Sequence, residues 1–293
     1  MSFPFRGTGV AIVTPFNEDL SVDFNSLEKI IQHGINGKLE YLVVLGTTGE
    51  SVTLCKEEKQ EIINFCIEKV DGKIPVVIGL GGNCNSDVIS AIEKQDFTNI
   101  AGLLSVTPYY NKPSQEGIYQ HFKRISEASP VPVIIYNVPG RTGTNVTSET
   151  TLRLANDCKN IVATKEASGD INQITEMLIN KPEGFEVLSG DDALSYSMLA
   201  LGAKGVISVI ANSHPLQFSN LVRYALNGEF EKARELQYKL FDYMNALFTE
   251  GNPSGVKSAL ANLGLCKNVV RMPLTTVSEE HGKVIDALLK KIE

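Results

Sequence analysis

The sequence predicts an α/β fold, a closed (β/α)8 barrel with a C-terminal helical extension. Three observations predict it. Eight short apolar runs rich in β-branched residues recur between residues 9 and 212. Most gaps between them carry apolar residues at helical spacing. After the eighth run only helical patterns remain.

The runs, in order, are GVAIVTPF (9–16), YLVVLGTTGE (41–50), PVVIGLGG (75–82) and IAGLLSVTPYY (100–110), then VPVIIYNVPG (131–140), IVATKEASG (161–169), FEVLSGDD (185–192) and GVISVIAN (205–212). Between them Phe24, Leu27, Ile30 and Ile31 form one helical stripe, and Ile62, Ile63, Phe65 and Cys66 another. Ile118, Phe122 and Ile125 make a third, and Ile171, Ile174, Met177 and Leu178 a fourth. Strands alternating with helices are βαβ units of a parallel sheet. Eight of them within about 225 residues favour closure into a barrel over an open doubly wound sheet. A dinucleotide fold is the weaker reading, because Gly79, Gly81 and Gly82 follow the third run without the rest of a G-x-G-x-x-G fingerprint. The barrel is assigned to residues 1–225 and the helical region to 226–293, where Phe230, Ala233, Leu236, Leu240, Met244 and Leu247 step by three or four.

Composition narrows the function. The chain has 293 residues, 43% of them hydrophobic, enough for a large core. A net charge of −7 and no basic stripe argue against nucleic acid or an acidic membrane surface as partner. No apolar run approaches the ~18 residues of a membrane span, and MSFPFRGTGV lacks a signal-peptide pattern, so a cytoplasmic protein is expected. Cys55, Cys66, Cys84, Cys158 and Cys266 are scattered without C-x-x-C spacing, which fits reduced thiols. The four histidines are dispersed, so no metal site and no cofactor is expected.

Barrel chemistry sits at the C-terminal ends of the strands. Those ends carry Thr14, Gly46 to Glu50, Gly81-Gly82-Asn83, Thr107 to Tyr110, Tyr136-Asn137, Lys165-Glu166, Gly190-Asp191-Asp192 and Ile207-Ser208. In the sixth run alternation puts Ile161, Ala163 and Lys165 on one face. If Ile161 and Ala163 fill the barrel interior, Lys165 points inward in the top layer, where desolvation favours the free amine and suits it to Schiff-base formation with a keto acid. The alternative is a structural lysine paired with a barrel carboxylate. Tyr136 ends the neighbouring run, either as a proton relay or as a cap on the core with its hydroxyl in solvent. Thr47 and Thr48 lie between Gly46 and Gly49, as a carboxylate cradle or an ordinary βα turn. Arg141, in a loop with Pro139, Gly140 and Gly143, either forks onto a second carboxylate or is merely solvated.

Together these segments carry a resemblance. LGTTGES (45–51), TPYYNKPSQEG (107–117), YNVPGRTG (136–143), KEASGD (165–170), LSGDD (188–192) and GVISVIAN (205–212) resemble the dihydrodipicolinate synthase family of the pyruvate-dependent class I aldolase superfamily, over nearly the whole chain. The resemblance implies that Lys165 forms an imine with pyruvate and that Thr48 holds the pyruvate carboxylate. It implies a proton relay of Tyr136, Thr47 and Tyr110, the last reaching in from a neighbouring subunit. It further implies that the enamine attacks L-aspartate 4-semialdehyde, whose carboxylate meets Arg141, and that Gly190 and Ile207 line the site through backbone atoms. A homotetramer built as a dimer of dimers is the assembly it implies.

Two departures stand out. In lysine-inhibited members, histidines follow GES on the next helix; Lys56 and Lys59 stand there after Ser51. Asn83 and Tyr109 match the allosteric site, while Asp87 replaces a usual glutamate, so weak or absent inhibition by L-lysine is expected. Asn252-Pro253-Ser254-Gly255-Val256-Lys257 departs from Asn-Pro-Ile-Pro-Val-Lys, and its consequence is expected in packing or assembly. The rivals are an N-acetylneuraminate lyase or 2-keto-3-deoxy sugar acid aldolase, which have little use for Arg141, and a non-catalytic metabolite-binding barrel. Aldolases for phosphorylated sugars fit less well, because Asp191 and Asp192 would repel a dianion.

Overall fold

In the computed structural model, which describes residues 5–292, all eight predicted runs are strands of one closed parallel barrel. They are β1 (Gly7–Ala11), β2 (Tyr41–Val44), β3 (Val76–Gly79), β4 (Gly102–Val106), β5 (Val133–Asn137), β6 (Ile161–Glu166), β7 (Glu186–Ser189) and β8 (Gly205–Ser208). β8 pairs back onto β1 through Gly7↔Gly205 and Thr8↔Val206. The runs are continuously apolar because both faces of each strand are covered. Ala11, Val43, Val77, Leu104, Ile134, Ala163, Leu188 and Ile207 pack with Tyr41 and Phe5 inside the barrel. Val10, Leu42, Val76, Leu103, Val133 and Val206 belong to the outer layer under the helices.

That outer layer comprises α1 (Phe24–Asn36), α2 (Lys56–Val70), α3 (Asn85–Lys94), α4 (Gln115–Ala128), the short α5 (Pro139–Thr142), α6 (Ser148–Asp157), α7 (Ile171–Asn180), α8 (Ser195–Leu201) and α9 (Pro215–Leu226). Side-chain caps start several of them; Asp170, for example, accepts from the amides of Asn172 and Gln173 at the head of α7. The helices α3 and α6 carry no clear apolar stripe because they bury little apolar surface: Val88 and Ile92 in one, Leu154 with two threonines in the other.

The predicted inward face of β6 needs one correction. The β5–β6 register shifts between Val133 and Ile134, so that Val133 pairs with Ile161 but Ile134 with Ala163. This bulge places one extra residue, Val162, between two ladder steps and resets the alternation. Ile161 therefore lies in the outer layer, while Ala163 faces the interior.

After α9 the chain forms α10 (Phe230–Thr249), α11 (Ser254–Asn262) and α12 (Glu279–Ile292). Ala233, Leu240, Met244 and Leu247 of the predicted α10 stripe are buried, whereas Phe230 is exposed and meets Tyr196 edge-on. Gly255 lets α11 start hard against α10, since a Cβ there would fall 2.2 Å from the Leu247 carbonyl oxygen. Among the described residues no helix is long and apolar enough to cross a membrane.

Candidate active site

Lys165 is the fifth residue of β6, in register with Tyr136 of β5 and Leu188 of β7. It is 5% exposed, and its Nζ lies 4.1 Å from the centroid of the Tyr136 ring. Among the described residues it makes no ion pair, so no barrel carboxylate locks it. The next residue, Glu166, turns its carboxylate instead to Asn137, Ser168 and Gln173. Burial raises the Glu166 carboxyl above the usual range, and those hydrogen bonds oppose the shift. The methylenes of Lys165 run along Gly190, where a Cβ would sit 3.0 Å from Lys165 Cε and 2.8 Å from Ala167 Cβ. Ile207, 1% exposed, belongs to the same interior cluster as Tyr136.

Tyr136 is buried, and its carbonyl accepts from the Thr107 hydroxyl at 2.9 Å. Among the described residues its own hydroxyl forms no hydrogen bond to Thr47, Tyr110 or any other group. Tyr110 is 88% exposed at φ +73°, turned outward from the barrel that carries it.

After β2 the segment Thr47–Gly49 forms a short 3-10 turn in which Thr48 is buried and Thr47 half-buried. Thr14 Oγ1 donates to the Gly49 carbonyl at 2.7 Å. Glu50 follows at φ +52° with its side chain directed into the protein. Its Oε1 meets Lys257 Nζ at 2.5 Å, both side chains fully buried, and its Oε2 accepts from the Arg271 amide at 2.9 Å. Burial pulls Lys257 below the usual lysine range and Glu50 pulls it back. Arg271 also holds Glu58, whose carboxyl it brings down to about 2.

Arg141 is exposed on α5 and donates from Nη2 to the Asn252 carbonyl at 3.5 Å. Asn252 Nδ2 donates to Thr48 Oγ1 at 3.0 Å, and its buried Oδ1 has no partner among the described residues. The motif expected to affect packing or assembly thus also touches both candidate carboxylate holders. Asn252, Glu50 and Lys257 were not singled out as site residues. Asn252 and Lys257 stand in the quoted Asn-Pro-Ser-Gly-Val-Lys motif, but nothing local says that residues more than 200 positions apart meet. Asp192, in the loop between β7 and α8, accepts from the amides of Val209 and Ile210, and burial pushes its carboxyl up to about 6.

Of the proposed allosteric residues, Asn83 and Tyr109 are brought together, with Asn83 Nδ2 donating to the Tyr109 carbonyl at 3.2 Å. Asp87 is exposed in the first turn of α3, Ser51 is half-buried, Lys56 is exposed and Lys59 half-buried on α2. No hydrogen bond or ion pair joins Lys56 or Lys59 to Asn83, Asp87 or Tyr109 among the described residues. No group of three or more His, Cys, Asp or Glu that could hold a metal occurs there either.

The Dihydrodipicolinate synthetase family matches residues 4–292. The chain belongs to this family. It is 49% identical over 288 residues to the 4-hydroxy-tetrahydrodipicolinate synthase of Flavobacterium psychrophilum, covering 98% of each chain. The fold matches the dihydrodipicolinate synthase of Thermotoga maritima with a TM-score of 0.97 at 42% identity, covering 99% of each chain. It also matches that of Acinetobacter baumannii, a chloride-inhibited enzyme complexed with pyruvate, with a TM-score of 0.95 at 39% identity, covering 98% of this chain and 99% of that one. This member of the dihydrodipicolinate synthetase family therefore keeps the family's architecture over essentially its full described length.

Proposed function

We propose that this chain is a 4-hydroxy-tetrahydrodipicolinate synthase, condensing pyruvate with L-aspartate 4-semialdehyde in the first committed step of the diaminopimelate and lysine pathway. The observation that carries the reading is Lys165: buried at the C-terminal end of β6, against the Tyr136 ring, and without an ion-paired carboxylate among the described residues. Its amine adds to the pyruvate ketone and loses water to give the imine. Loss of a methyl proton gives the enamine, whose carbon attacks the aldehyde. The amino group of the second substrate then displaces Lys165 as the ring closes. Thr48 and the amides of its turn hold the pyruvate carboxylate, Tyr136, Thr47 and a neighbouring copy's tyrosine at position 110 move protons, and Arg141 receives the second carboxylate. Gly190 and Ile207 line the pocket with backbone. The outward position of Tyr110 suits a contact with a neighbouring copy, as a homotetramer of tight dimers would supply, and five unpaired cysteines fit a cytoplasmic location.

Two measurements test this. Pyruvate with borohydride should add one reduced imine to the intact mass of the wild type and none to Lys165→Ala. A coupled assay should register turnover of pyruvate with L-aspartate 4-semialdehyde and none of N-acetylneuraminate. Absence of the adduct supports a non-catalytic binder. Cleavage of N-acetylneuraminate without synthase turnover overturns the synthase reading, and normal synthase turnover by Arg141→Ala removes Arg141 from the second substrate's carboxylate.

A further inference from the structure

The loop that carries Arg141 is tied at its base by the side chain of Asn137. The Val146 amide donates to Asn137 Oδ1 at 3.0 Å, and Asn137 Nδ2 donates to Asn145 Oδ1 at 2.8 Å. Asn145 Nδ2 in turn donates to Gln173 Oε1 at 2.8 Å, and Gln173 Nε2 reaches the Val146 carbonyl at 3.3 Å. An amide side chain can fill such a network in either of two orientations, exchanging donor for acceptor. Here the orientation is set jointly by the Val146 backbone, whose amide and carbonyl have fixed polarity, and by Glu166, which is 1% exposed and adjacent to Lys165. Its Oε1 accepts from the Ser168 amide at 2.7 Å and from Asn137 Nδ2 at 3.1 Å. Its Oε2 accepts from Asn137 Nδ2 at 3.0 Å and from Gln173 Nε2 at 3.4 Å. A carboxylate that only accepts forces both amides to present nitrogen to it. The Asn137 oxygen is then left for Val146, and the Gln173 oxygen for Asn145.

We propose that Glu166 is a positioning residue for the second substrate: by setting the orientation of Asn137 and Gln173 it holds the Arg141 loop at a fixed distance from the imine lysine. The inference rests on the synthase reading for its catalytic consequence, but not for its structural one. Glu166 touches neither substrate; it acts through the 138–146 loop, whose far side bears Arg141.

The test is Glu166→Gln, which keeps the shape but places an NH2 among incoming donors. Hydrogen–deuterium exchange across residues 138–147 should quicken about tenfold, while β4 and β8 keep their protection. The KM for L-aspartate 4-semialdehyde should rise about tenfold, with the KM for pyruvate and the rate of borohydride-trapped imine changed less than twofold. In an Arg141→Ala background the same substitution should add less than twofold to that KM, since the group it positions is gone. Unchanged exchange in the loop overturns the proposal, as does a KM effect additive with Arg141→Ala or equal loss of imine formation. If wild type fails to turn over the semialdehyde while the exchange result holds, the synthase reading falls and the positioning role stands.

Discussion

Replacing Lys257 by methionine isolates the contribution of the Glu50–Lys257 pair. The two side chains are fully buried, and the ammonium also donates to the Val269 carbonyl at 2.8 Å and lies 4.1 Å from the Phe16 ring. Methionine fills nearly the same volume, so the change removes charge rather than packing. Glu50 is then left as a buried carboxylate whose one remaining hydrogen-bond partner among the described residues is the Arg271 amide. Breaking a buried pair by deleting one member costs about 3–5 kcal/mol. Unfolding entropy of roughly 2.1 cal/mol/K per residue gives about 0.6 kcal/mol/K for a chain of this length, so the Tm should fall by about 5–8 °C. Because Glu50 directly follows the Thr47–Gly49 turn, the KM for pyruvate should rise several-fold in the same variant. A second substitution, Glu50→Gln, should return part of the stability by removing the orphaned charge. Calorimetry of wild type, single and double variants reads the two stability changes, and a steady-state assay reads the KM. A Tm loss below about 2 °C for Lys257→Met, roughly 1 kcal/mol on the same scale, refutes the reasoning.

Three further outcomes are expected. The Asp192 carboxyl, raised from 3.8 to about 6 by burial, binds its proton more tightly folded than unfolded, so its ionisation costs stability that is fully expressed above pH 6 and relieved as pH falls through 6 toward 4. Asp192→Asn should therefore become more favourable relative to wild type by about 1 kcal/mol between pH 5 and pH 7.5, measured by urea unfolding; a gap that closes with rising pH reverses the sign and defeats the argument. Gly190→Ala places a methyl 2.8 Å from Ala167 Cβ and 3.0 Å from Lys165 Cε, so imine trapping with pyruvate should slow at least about tenfold while the fold persists; trapping at the wild-type rate denies Gly190 that role. L-lysine should inhibit weakly or not at all, because Lys56 and Lys59 occupy the positions at which the resemblance to lysine-inhibited members expects histidines; an inhibition constant in the low-millimolar range or tighter refutes this.

The barrel was legible because its strands are buried on both faces, which writes each as a short run such as YLVV or VIIY with polar residues at its end. The position of Lys165 followed from the same rule, although the face of Ile161 did not. Alternation counts residues, and the bulge at Val162 breaks the count through a pairing with β5 that lies outside the segment itself. Thr48 and Arg141 were legible as residue types at strand ends. The contacts that hold them were not, because Asn252 reaches Thr48 across 204 positions and Lys257 reaches Glu50 across 207. Such pairs leave no periodic trace. Tyr110 was legible as a residue and not as a place, since its side chain stands exposed on the chain that carries it.

The grip of Arg271 and Lys257 on Glu50 has a consequence for biosynthesis. The segment around Thr48 leaves the ribosome some 200 residues before its fasteners do, so during that interval the Glu50 carboxylate stays hydrated and the turn above it stays loose. The set of contacts that fastens Glu50 is thus complete only when the last tenth of the polypeptide has emerged. A chain ending short of residue 257 would lack both fasteners of Glu50, however complete its barrel.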